Sequence, residues 1–167
     1  SHPAFEGQGF KKLEIVPQYD YRKDLHLIVT SSYERTVREE FQRLKDSSCV
    51  CIFLNSVTGI NELVNSLHLE GESRIFCSEE GVGKLKDAGF TNAVSSIDYP
   101  LAKYNFFTSR FYSAVDIELN VKPDILILTN LNNAVYTTVD PYTEAIQIQG
   151  RFRRMFEDKQ TFNSLTH

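Results

Sequence analysis

Cys49-Val50-Cys51-Ile52-Phe53-Leu54-Asn55-Ser56-Val57-Thr58-Gly59 is the stretch on which the reading of the fold turns. Its first six residues are apolar without a break and rich in strand formers. A strand with one wet face alternates apolar and polar side chains. An unbroken run marks a strand buried on both faces, as inside a parallel sheet covered by helices. The polar turn at 55–59 then leads into a helix expected over 60–69, with Ile60, Leu63, Val64 and Leu67 as its apolar residues.

The same alternation extends in both directions. Upstream, residues 1–24 contain Pro3, Pro17 and several glycines and read as an N-terminal lead-in with one extended piece near 13–16. Residues 25–29 read as a strand. Residues 33–46 read as a helix, with Val37, Phe41 and Leu44 on one stripe and Ser31 with Glu34 as a capping box. Downstream, 74–77 is a strand. Ser78 caps a helix carrying Val82, Leu85 and Ala88, and Gly89 is placed to end it. Strands are expected at 93–96, 104–108, 125–129 and 135–139. Asp140-Pro141 opens a last helix, Asp as the cap and Pro at the first helical position. Strands alternating with helices at this spacing give an α/β, three-layer sandwich with a mostly parallel central sheet. One domain over 25–167 is expected to hold it.

Composition narrows the class. The chain has 167 residues, 41% hydrophobic and 24% charged, with a net charge of −4 and a pI near 5.6. That is a globular balance, and it lacks the bulk positive charge of a basic nucleic-acid module. Any polyanion must meet a local patch. Cys49, Cys51 and Cys77 are odd in number and form no CxxC pair, so they read as small buried residues in a reduced, cytoplasmic compartment. No apolar run is long enough to span a membrane, and no signal peptide is visible. Ser1 and His2 fit a tag-cleavage scar, and with no Met at position 1 the chain reads as a piece of a longer one.

The local patch is Gln147-Ile148-Gln149-Gly150-Arg151-Phe152-Arg153-Arg154, with three arginines and a glycine. Read as helix, it puts Arg151 and Arg154 on one face with Gln147 one turn before, while Ile148 and Phe152 face the core. Gly150 then sits mid-helix at a cost of roughly 1 kcal/mol, which the close approach of a backbone or ligand would justify. Arginine's planar fork suits phosphate oxygens. A solvated basic helix end explains the same residues without a ligand.

This octet resembles motif VI of superfamily 2 helicases: Gln or His, two variable residues, Gly-Arg, two variable residues, Arg. Residues 106–117, FFTSRFYSAVDI, resemble motif V, with Thr108 and Asp116 matching and Ala114 standing where the family has Gly. The strand and turn after Val50 resemble motif IV. The three occur in the family's order across roughly 26–156. The chain thus resembles the C-terminal RecA-like domain of a divergent DEAD/DEAH-type relative. The resemblance implies the second motor domain of an ATP-dependent helicase or translocase. Its nucleotide, ATP with Mg2+, would be shared with a first RecA-like domain, and its partner would be DNA or RNA. By position, Arg151 and Arg154 would reach the γ-phosphate, with Arg154 as the arginine finger. Gln147 would couple the nucleotide to motif VI. Asp116 and Gly150 would lie at the nucleotide. Thr108, Ser56 and Thr58 would lie near the nucleic-acid backbone. Helix capping explains Ser56 and Thr58 equally well, and strand termination explains Thr108.

No Gly-rich loop ending in Gly-Lys-Ser/Thr is present. The nearest run, Glu80-Gly81-Val82-Gly83-Lys84-Leu85, lacks the following hydroxyl and falls inside an expected helix. The chain alone is therefore expected not to hydrolyse ATP. A non-catalytic RecA-like module binding protein or nucleic acid is the alternative. The aromatic cluster Phe106, Phe107, Phe111 and Tyr112 is expected to pack rather than to stack on bases.

Overall fold

The decisive strand lies at the centre of the sheet. In the computed structural model, residues 10–15, 25–113, 115–129, 141–152 and 162–167 are described. The elements are β1 (Phe10–Ile15), β2 (Leu25–Thr30), α1 (Tyr33–Arg43), β3 (Val50–Leu54), α2 (Val57–Ser66), β4 (Ser73–Phe76) and α3 (Glu79–Asp87). They continue with β5 (Ala93–Val94), β6 (Tyr104–Phe107), β7 (Asp124–Leu128), α4 (Pro141–Gln149) and β8 (Ser164–Thr166). The sheet order is β1-β2-β8-β7-β3-β6-β4-β5, and every pairing is parallel except β1 with β2. β3 runs between β6 and β7, with every residue buried, as an unbroken apolar run requires.

The side chains of β3 divide between two cores. Val50, Ile52 and Leu54 point to one face with Ile75, Phe106, Leu126 and Leu128, under α1, α2 and α3. Cys51 and Phe53 point to the other with Phe76, Phe107, Ile125 and Ile127, under α4, Phe111, Ile117 and Phe162. The three layers expected from the sequence are thus present. All three cysteines are free and buried. The cluster Phe106, Phe107, Phe111 and Tyr112 packs inward: Phe107 stacks between Phe53 and Phe76 at 4.9 and 4.8 Å.

Three local expectations are corrected. Helix α1 is not closed by Ser31 and Glu34. Ser32 is its N-cap and makes no side-chain cap bond; instead the Thr30 hydroxyl accepts from the Ser32 N–H and the Thr36 hydroxyl, both at 2.9 Å. Helix α2 starts at Val57, three residues earlier than expected, because the Ser56 hydroxyl accepts the Gly59 N–H at 2.9 Å and satisfies a first-turn donor. Helix α4 ends at Gln149, so the octet 147–154 is not one continuous helix and its shared-face argument does not hold. The expectations for 135–139 and for Arg154 lie outside the described residues.

Other local expectations stand. The Ser78 hydroxyl caps α3 through Gly81 N–H at 3.1 Å. Gly89 ends it with φ +97, and Phe90 N–H reaches back to Leu85 O at 2.8 Å, the paired closure of a Schellman motif. The Glu80–Leu85 run lies inside α3. At the amino edge of the sheet, the buried Asp124 carboxylate accepts from Ser47 Oγ at 2.5 Å, Asn163 Nδ2 at 2.7 Å and Ser164 Oγ at 2.6 Å. It joins the starts of β3, β7 and β8.

Candidate functional site

Ligands on open α/β sheets bind beyond the carboxyl ends of the strands, where the chain's direction of travel across the sheet reverses. Here the chain leaves β3 toward β4 on one side, then returns through β6 and crosses β3 to reach β7 on the other. The carboxyl ends of β3 and β6 therefore flank the reversal. Asn55, directly after β3, links them: its Oδ1 accepts the Ser109 N–H at 3.3 Å. Thr108 ends β6 buried, donating its N–H to Phe76 O at 3.1 Å and accepting from Phe111 N–H at 2.9 Å. Ser56 and Thr58 are exposed at the start of α2. Sequence reasoning missed Asn55; its signal was a lone polar residue closing a six-residue apolar run.

The second group lies where the segment after β6 meets the end of α4. Ile117 and Phe152 form a parallel bridge, and Ile117 N–H donates to Arg151 O at 2.7 Å. Arg151 turns its guanidinium back on both segments, Nε to Gln147 O at 3.3 Å and Nη1 to Val115 O at 3.4 Å. One buried and one half-buried ring fix this junction over the carboxyl half of β3. Phe152 and Tyr112 set their ring edges on Phe53 at 6.2 and 5.7 Å. Asp116, between Val115 and Ile117, is exposed, as is Gln147, while Arg151 is half-buried. The structure therefore brings Asp116, Gln147, Gly150 and Arg151 into one neighbourhood. Gly150 sits just past the helix, and a Cβ there would meet Gln147 O and Ile146 O at 3.5 Å, an ordinary contact. No close backbone approach explains this glycine, and its helix-interior cost does not arise.

Titratable groups gather near the same edge. Burial, then the charge of Glu144, pushes the Tyr112 phenol above its ordinary value, and burial pushes Tyr33 up to about 12. Glu144 Oε1 and Thr129 Oγ1 lie 3.1 and 3.2 Å from His167. Thr, His and Glu are hydrolase-triad residue types, but both partners meet the same nitrogen, Nε2. A triad needs acid and nucleophile on opposite ring nitrogens. The trio therefore ties α4 to β8. At the other edge, burial raises the Cys51 thiol while the hydrogen bond from it lowers Cys49. Both are enclosed in the core, out of reach of a substrate.

Among the described residues, no three or more His, Cys, Asp or Glu are grouped to hold a metal, and no helix is long and apolar enough to cross a membrane. Compared with family models, curated proteins and solved structures, the chain finds no match in any of the three.

Proposed function

We propose that this chain is the second, RecA-like motor domain of an ATP-dependent nucleic-acid helicase or translocase. The observation that carries the reading is the junction of 115–117 with 150–152. Two stretches that resemble motifs V and VI, far apart in sequence, meet backbone to backbone around Arg151. The sheet order speaks against an unrelated flavodoxin-like enzyme, whose sheet runs 2-1-3-4-5.

The residues fit half of a nucleotide site. Arg151 offers N–H groups now resting on two carbonyls at 3.3 and 3.4 Å, the long end of hydrogen bonding. A phosphate oxygen is an ionised acceptor that the planar guanidinium can meet with two parallel N–H bonds, so it would replace those carbonyls. Asp116 stands beside Arg151 for a ribose hydroxyl or an arginine. Arg154 is the finger in this reading. Mg2+ carried with the nucleotide would supply neutralisation of phosphate charge; no described carboxylate cluster of this chain is grouped to hold it, so its protein ligands would come from the first domain. The phosphate-cradling loop has to come from another domain, because the glycines of 80–85 are locked in α3. On the nucleic-acid side, the exposed Ser56 and Thr58 would approach backbone phosphates at the carboxyl edge, a contact that positions without reading sequence, while Thr108, buried directly after β6, would only shape that edge.

The test is nucleic-acid-stimulated ATP hydrolysis by the full-length natural product. Arg151→Ala is expected to lower kcat at least about 100-fold, and the 167-residue chain alone is expected to show no hydrolysis. An unchanged kcat in the variant, or hydrolysis by the chain alone, defeats the reading.

A further inference from the structure

The segment that carries Asp116 is also held from a second side, by a residue outside the three motifs. Glu118 N–H donates to the Tyr99 hydroxyl at 3.0 Å. Tyr99 is 47% exposed, so core filling does not account for it. Its neighbours are anchored in the sheet. Arg74 on β4 donates through Nη2 to Asp98 Oδ2 at 2.7 Å and through Nη1 to Pro100 O at 3.4 Å. That guanidinium is only 16% exposed and lies 5.8 Å from the centre of the Phe76 ring. Ile97 and Leu101, on either side, pack into the core of this face. Tyr99 is therefore the outer end of a brace rooted in β4. From its hydroxyl the contacts run through Glu118 and Ile117 to the Arg151 carbonyl, and from the Arg151 guanidinium to Val115.

We infer that Tyr99 is a positioning residue for the phosphate site proposed above, holding residues 115–118 so that Asp116 and Arg151 keep a fixed relation. The inference rests on that reading of the site. Irregular segments open locally at low free-energy cost, and each tether removes part of that freedom. Phosphoryl transfer gains most from placement, and a displacement of about 1 Å costs roughly 100-fold. Tyr99 supplies the acceptor that an irregular backbone lacks, and Arg74 sets where that acceptor stands.

Tyr99→Phe keeps the ring and removes the acceptor. In the 167-residue chain, the Glu118 amide is expected to exchange about fivefold faster or more, with the melting temperature unchanged. In the full-length protein, kcat for ATP is expected to fall about 3- to 10-fold with KM within about twofold. Arg74→Ala is expected to move kcat in the same direction. Unchanged exchange at Glu118 overturns the inference. So does a Tyr99→Phe protein with wild-type kcat beside an active wild type. Faster exchange across all elements with a lowered melting temperature makes Tyr99 a general stability residue, which also overturns it. A wild-type full-length protein that hydrolyses no ATP instead defeats the function reading itself, a result distinct from the others.

Discussion

The two faces of the sheet are built differently. One is covered by α1, α2 and α3, three regular helices that lay Val37, Phe41, Ile60, Val64 and Leu85 on β3, β4, β6 and β7. All three start on a serine, and in α2 and α3 its hydroxyl accepts a first-turn N–H. Among the described residues the other face is covered by α4, by a 3-10 turn at Ser109–Phe111 and by irregular chain at 97–101 and 115–119, held by aromatic rings and by side chains bonded to backbone. Asp116, Gly150 and Arg151 belong to the irregular face. A helix satisfies its own backbone, so it leaves few donors to aim outward. Irregular chain must find partners, and here that brings the segment carrying Asp116 against the one carrying Arg151. Regular helices bury the sheet, and irregular chain holds the candidate site.

The largest effect should come from Phe53→Ala. Phe53 carries Phe107, Tyr112 and Phe152 at 4.9, 5.7 and 6.2 Å, and its loss is expected to cost about 3–5 kcal/mol in urea unfolding. Amides at 111–118 and 150–152 should be deprotected more than those of α2 and α3. Equal deprotection on both faces would break the contrast. Gly81→Ala probes the regular face. A Cβ there would stand 2.9 Å from Cys77 Sγ and 3.0 Å from Val57 Cγ2, so a loss of about 1–3 kcal/mol is expected. Adding Cys77→Ala should return part of it, as contacting sites are coupled. A neutral Gly81→Ala would mean that the helical face is packed less closely than described. The smallest effects compare caps. Ser56→Ala is expected to cost about 1 kcal/mol and Ser32→Ala less than about 0.5 kcal/mol, because only the first hydroxyl holds a helix N–H. Equal melting shifts for the pair would erase the distinction.

The same contrast decides what could be read from the sequence. β3, β6, β7 and α3 were legible because their causes are local: a continuous apolar run, a serine before a helix, a glycine after one. The start of α2 lies three residues before the expected one because Ser56, for which capping was one reading, is the cap and draws 57–59 into the helix. The end of α4 was misplaced for an instructive reason. Phe152 is buried four residues after Ile148, as a helical stripe requires, but it arrives there as a bridge partner of Ile117 after the helix has ended. Tertiary pairing overrode the local period. β8 has three residues and pairs with β7 and β2, distant strands; nothing local marks it. The Tyr99–Glu118 and Asn55–Ser109 links join loops, where no periodicity exists to follow. Within the candidate site, Asp116 and Arg151 could be picked out by their motifs, but how they are held could not.

The pairing of β2 with β8 has a consequence for how the molecule is made. Leu25 lies beside Leu165, so roughly 140 residues separate the two partners, and a ribosome adding about 5–20 residues per second needs about 7–28 s to cover that distance. Through that interval β3, β4 and β6 can assemble with α2 and α3, while β2 and the β1 hairpin wait without their parallel neighbour. Contacts so distant in sequence raise contact order, and proteins rich in them fold more slowly because chain entropy is lost before the contacts form. Among the described strands, the one made latest is thus the one that ties β2, and β1 with it, to the rest of the sheet.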